Sequence, residues 1–144
     1  MLEQYDEVYR ELTERIEELR AQAQTKAGHY FKGAVVDLFL KHPMLESICW
    51  QQYTPYFNDG DPCTFRAYID YPYLKFSDRE ERLGGDEIEY SDELKEGPER
   101  DCLRDVLTFL RAIKREHYQW MFGDHVEITV DRQGITVEEY SQHD

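Results

Sequence analysis

The stretch Val126-Glu127-Ile128-Thr129-Val130-Asp131-Arg132-Gln133-Gly134-Ile135-Thr136-Val137-Glu138 decides the fold class. Val126, Ile128 and Val130 alternate with Glu127, Thr129 and Asp131, and Ile135 and Val137 alternate with Thr136 and Glu138. A period of two is that of a strand with one covered face. Between the two runs, Asp131-Arg132-Gln133-Gly134 is tight-turn chemistry, with glycine accepting a positive φ. The chain therefore closes on an antiparallel hairpin.

Just upstream, Leu103, Val106, Leu107, Leu110, Ile113, His117 and Met121 form one apolar stripe. It predicts a helix from about Glu99 to Met121 that stops at Gly123. Further back, Leu45–Thr54 reads as a strand. After the loop Pro55–Pro62 a second strand alternates Cys63, Phe65, Ala67 and Ile69 with Thr64, Arg66, Tyr68 and Asp70. Tyr71–Phe76 extends it past Pro72.

The N-terminus reads differently. Leu2, Tyr5, Tyr9, Leu12, Ile16, Leu19 and Ala23 recur in alternating steps of three and four, which is a heptad seam. The helical pattern continues through Phe31, Ala34, Val35, Leu38 and Phe39 until Pro43 stops it. A helix spanning residues 2–41 would be about 60 Å long, against a radius of gyration of about 15 Å for a domain of this size. Either it breaks near Thr25–His29, or its first half projects and meets a partner. The favoured expectation is a break or kink, with residues 1–26 joining a homodimer or higher homo-oligomer.

The resulting order is α-β-β-α-β-β: one α+β domain over residues 1–144, with a long N-terminal helix and helices on one face of an antiparallel sheet of about four strands. Residues 77–101 hold eleven Asp or Glu against four Lys or Arg. They read as an exposed acidic excursion with little regular structure.

Charge and cysteines bound the function. With 31 Asp and Glu against 17 Lys and Arg, the net charge is −14. Such a surface repels a nucleic-acid backbone and an anionic membrane. Three cysteines without a close pair argue for reduced thiols and a cytoplasmic protein. Met1–Arg20 has no apolar leader core, and no run is long enough to span a bilayer.

The densest chemistry lies between the first two strands. Gln52, Tyr53, Tyr56, Phe57, Asn58, Asp59 and Asp61 place rings, amides and carboxylates in one connection. Rings stack on planar ligands, and amides and acids read their donors. His125, beside Asp124, joins them as a ligand- or partner-binding candidate. The competing reading is structural, since Pro55, Asn58, Asp59, Gly60 and Pro62 are all turn formers. The spacing of Asn58, Asp59 and Asp61 fails the calcium-loop pattern. No phosphate loop, nucleophile elbow or zinc motif is present. No catalytic residue, metal or cofactor is assigned.

Tyr53–Cys63, taken with Phe122-Gly123-Asp124-His125-Val126, Gly134–Tyr140 and His143-Asp144, resembles a family of small phage and bacterial proteins without an established activity. The likeness covers Phe31–Phe65 and Leu103–Asp144 and leaves out the heptads and residues 77–101. It implies a phage accessory protein in a host cytoplasm that binds a host protein or a signalling molecule, and no catalytic role comes with it.

Three functions follow as expectations. The first is a non-enzymatic binding protein that captures a host protein or a small nucleotide-like ligand to blunt host defence. The second is an acidic, DNA-mimicking inhibitor of a basic protein. The third is a small metal-dependent hydrolase using Asp59, Asp61, His125 and Asp144.

Overall fold

The computed structural model describes residues 2–56, 60, 62–94 and 96–141. Helix α1 runs without interruption over Leu2–Lys41. The expected break near Thr25–His29 does not occur. A glycine weakens a helix by about 1 kcal/mol, which is too little to break one anchored downstream. That anchoring begins at Arg20, whose guanidinium lies over the Trp120 ring, and at Gln24, whose Nε2 donates to the Trp120 carbonyl at 2.5 Å. It continues through the buried Phe31, Leu38 and Phe39. The first half of α1 leaves its apolar residues uncovered. Tyr5, Val8, Tyr9, Leu12, Ile16 and Leu19 are 48–71% exposed.

After α1 come β1 (Leu45–Tyr53), β2 (Arg66–Ala67), β3 (Tyr73–Phe76), β4 (Leu83–Gly84), α2 (Gly85–Glu89), α3 (Pro98–Arg111), α4 (Arg115–Phe122), β5 (Val126–Asp131) and β6 (Ile135–Glu139). The order across the antiparallel sheet is β4-β3-β1-β5-β6, and β2 also pairs with β1. Gln52 of β1 faces Val126 on one edge and Ala67 on the other. Strands β2 and β3 therefore share one edge of β1. The strand expected over 63–70 shrinks to two paired residues, and β3 becomes the longer neighbour, from Leu45–Phe76 to Cys49–Tyr73.

Ile48, Trp50 and Gln52 of β1 and Ile128 and Val130 of β5 form the covered face of the sheet. Phe31 of α1 meets Trp50 edge-on at 6.2 Å, and Tyr118 of α4 meets Trp50 at 5.8 Å. The helix expected over Glu99–Met121 is two, α3 and α4, because residues 112–114 leave the helical path and Lys114 is extended. The bend carries Tyr118 beneath Trp50, and its hydroxyl donates back to the Leu110 carbonyl at 2.5 Å. Burial pushes the Tyr118 phenol well above its usual pKa.

The acidic stretch 77–101 is more ordered than its composition implies. It supplies β4 and α2, and Ile88 is fully buried. Gly85 is needed where the chain passes β3. Its N–H donates to the Pro72 carbonyl at 2.7 Å, and a Cβ there would stand 3.1 Å from the Tyr71 Cα. At the other end of the sheet, Ile135 and Val137 of β6 stay exposed.

The β5–β6 turn also caps α1. Asp131 Oδ1 accepts from the N–H groups of Gln133 and Gly134. That turn presents Arg132, whose Nη2 lies 2.9–3.3 Å from the carbonyls of Phe39, His42, Pro43 and Leu45, which share its two hydrogens. A cation at the carbonyl end of a long helix opposes its dipole. No helix among the described residues is long and apolar enough to cross a membrane.

Candidate ligand-binding cleft

The end of β1 and the α4–β5 turn form one joint. Gly123 closes α4 at φ 94°, and His125 follows at φ 54°, the one non-glycine positive φ among the described residues. Asp124 ties this turn to the end of β1. Its Oδ1 accepts from the Thr54 N–H at 2.7 Å and the His125 N–H at 2.8 Å, and its Oδ2 accepts from the Thr54 hydroxyl at 2.5 Å. Asp124 is therefore an anchor of the backbone. Its Oδ1 lies 3.7 Å from His125 Nε2, beyond a good hydrogen bond.

Rings gather at this joint. Tyr53 stacks on Tyr68 at 4.6 Å and lies 5.6 Å from Tyr140 and 6.3 Å from His125. Tyr56 stacks on His125 at 4.9 Å. Three of the residues singled out from sequence, Tyr53, Tyr56 and His125, thus converge. Gln52 does not belong with them. It is fully buried, its amide donates to the carbonyls of Tyr118 and Gly123, and its Oε1 accepts from Trp50 Nε1. No ligand can reach it, and its work is to join β1 to α4. Phe57, Asn58, Asp59 and Asp61 lie outside the described residues, as does Asp144.

Tyr53 and Tyr68 also face a cleft of about 760 Å³, within the usual range for small-molecule sites. Its lining includes Arg66 of β2, Arg111 at the end of α3 and Arg115 at the start of α4. The loops and β3 add Thr64, Asp70, Tyr71 and Tyr73. Asp70 holds Arg111 at 3.3 Å, and among the described residues Arg66 and Arg115 have no carboxylate partner. A hydrogen bond with Tyr90, reinforced by the Tyr90 and Glu89 charges, pushes the exposed Tyr71 phenol up, so it stays a neutral donor at the rim.

The sequence reading missed these arginines. Arg66 was legible as part of the polar side of a strand, next to Tyr68. Arg111 and Arg115 were hidden, because a single helix over Glu99–Met121 gives no reason for them to line a cavity. Only the bend at 112–114 turns that surface toward β2.

No group of three His, Cys, Asp or Glu side chains among the described residues could hold a metal ion. Cys49 and Cys102 are buried and Cys63 is exposed. Burial, with the Asp105 and Glu99 charges, pushes the Cys102 thiol up to about 12. Compared with protein-family models, curated proteins and solved structures, the chain matches none.

Proposed function

We propose that this protein captures a small planar anion of nucleotide-like chemistry in the cleft between β2 and the α3–α4 bend, as a binding protein rather than an enzyme. The observation that carries the reading is the grouping of Arg66, Arg111 and Arg115 in one tyrosine-lined cleft of a chain whose net charge is −14. In a chain this acidic, three cations against the one carboxylate of the described lining, Asp70, which pairs with Arg111, leave the concavity with a local field of the opposite sign, which concentrates anions. Guanidinium groups match phosphate geometry with paired hydrogen bonds. Tyrosine faces accept a planar ring by stacking. The phage setting implied by the motif resemblance supports a host signalling nucleotide as the occupant.

The test is calorimetric titration of the full chain with nucleoside monophosphates and with the matching nucleosides. The monophosphates bind and the nucleosides bind more weakly. Arg115→Ala lowers monophosphate affinity by about 10- to 100-fold, as loss of a charge-assisted hydrogen bond of roughly 1.5–3 kcal/mol requires. Equal affinity for both ligand types, or an Arg115→Ala variant that binds like the parent, overturns the reading.

A further inference from the structure

The arm of α1 ahead of Arg20 packs on no other element among the described residues. Contact with the body starts where the Arg20 guanidinium lies 5.0 Å over the Trp120 ring and Gln24 bonds the Trp120 carbonyl. Residues 2–19 extend about 27 Å beyond that point. A helix this short is marginal in water without a packed face. Its apolar residues Tyr5, Tyr9, Leu12, Ile16 and Leu19 keep the heptad spacing, and all are about half exposed or more.

We infer that this seam is covered by the same seam of a second copy, running antiparallel, so that the protein is a dimer with its two bodies at opposite ends of a short coiled coil. Two observations favour a second copy, and a third sets its orientation. The pattern is self-complementary: aligned antiparallel, Tyr5 lies opposite the partner's Ile16 and Tyr9 opposite the partner's Leu12. The seam has surface to bury: with Val8, six apolar side chains lie about half exposed or more, two of them tyrosines that can each bury roughly 150–250 Å².

Charge sets the orientation. In a parallel pair the flanking positions bring Arg15 against the partner's Arg20, a like-charge contact made twice. In the antiparallel alignment the flanking neighbours become Val8 with the partner's Arg15 and Asp6 with the partner's Thr13. No like charges meet there.

Sedimentation equilibrium of the full chain over a dilution series tests the association. The expected result is the mass of two chains, reverting to one chain in the Leu12→Glu, Ile16→Glu double variant while the near-ultraviolet signal of the body is kept. A single-chain mass at every concentration of the parent overturns the inference, and so does a dimer that survives the double variant. Orientation is read from spin labels at Glu3→Cys in a Cys63→Ser background. The labels should lie about 22 Å or more apart, since residue 3 faces residue 18 of the other chain. Labels in close contact overturn the antiparallel arrangement.

Discussion

The Tyr56 ring lies 4.9 Å from the His125 ring with the two planes 17° apart, and this stack links the β1–β2 connection to the α4–β5 turn. Tyr56 is nevertheless 64% exposed and does not line the arginine cleft. Tyr68 does line it, stacked on Tyr53. The two tyrosines should separate on substitution. Tyr56→Ala should cost about 0.5–1.5 kcal/mol of stability and leave nucleotide affinity nearly unchanged. Tyr68→Ala should lower affinity by about 5- to 100-fold, the range for losing one base–aromatic stack of roughly 1–3 kcal/mol. Urea unfolding and calorimetry read the two effects.

Gln52 gives a purely structural prediction. Gln52→Leu keeps the bulk of the side chain but takes away the partner of the buried Trp50 Nε1–H and the Gln52 bonds to the carbonyls of Tyr118 and Gly123. An unpaired buried polar group costs about 1–3 kcal/mol. The variant should lose about 2–3 kcal/mol in chemical unfolding, the largest single loss expected at any residue of the candidate set.

Thiol chemistry checks the packing of the sheet. The exposed Cys63 should react with a maleimide at neutral pH in the native protein. Cys49 and Cys102 should react only on unfolding, because burial raises both thiols and the thiolate is the nucleophile. Mass spectrometry should find one label per native chain. Rapid labelling of all three would contradict the buried placement of β1 and α3.

Asp105 supplies a pH dependence. Hydrogen bonds from Lys41 at 2.8 Å and His42 at 2.7 Å hold its carboxyl below its ordinary value, with burial opposing them. A lowered pKa means that the folded chain binds the proton less readily than the unfolded one. The contribution is therefore complete above about pH 3.9, the ordinary aspartate value, and is lost as pH falls through the lowered one. Lys41 is largely exposed, so the worth is modest. Asp105→Asn should cost about 0.5–1 kcal/mol at pH 7, and the gap from the parent should close in acid. Unfolding curves at pH 7 and below about pH 3.9 measure it.

How far residues carried the reading depends on what each signal encodes. Alternation in Val126–Val130, the Asp131–Gly134 turn and the stop at Gly123 are local, and they are found where the pattern put them. The length of α1 was misjudged because glycine cost is local, whereas the hold of Gln24 and Phe31 on the body is tertiary. The α3–α4 bend carried no glycine or proline to mark it. Its cause is the fit of Tyr118 under Trp50, which periodicity cannot register. The site divided in the same way. Aromatic density pointed to Tyr53, Tyr56 and His125, while Gln52 looked available only because burial is invisible in a polar letter. The arginines of the cleft come from elements far apart in the chain, and the fold alone brings them together.

On the function proposed, the cleft bounded by Arg66, Tyr68, Arg111 and Arg115 receives an aromatic anion. The most direct measurement is a titration of the ¹⁵N-labelled full chain with a nucleoside monophosphate, followed by amide chemical shifts. Saturable shifts confined to β2, the loop through Asp70 and the α3–α4 bend are the predicted result, with α1 ahead of Arg20 unmoved. Absence of saturation, or shifts gathered elsewhere while these amides stay still, would contradict it.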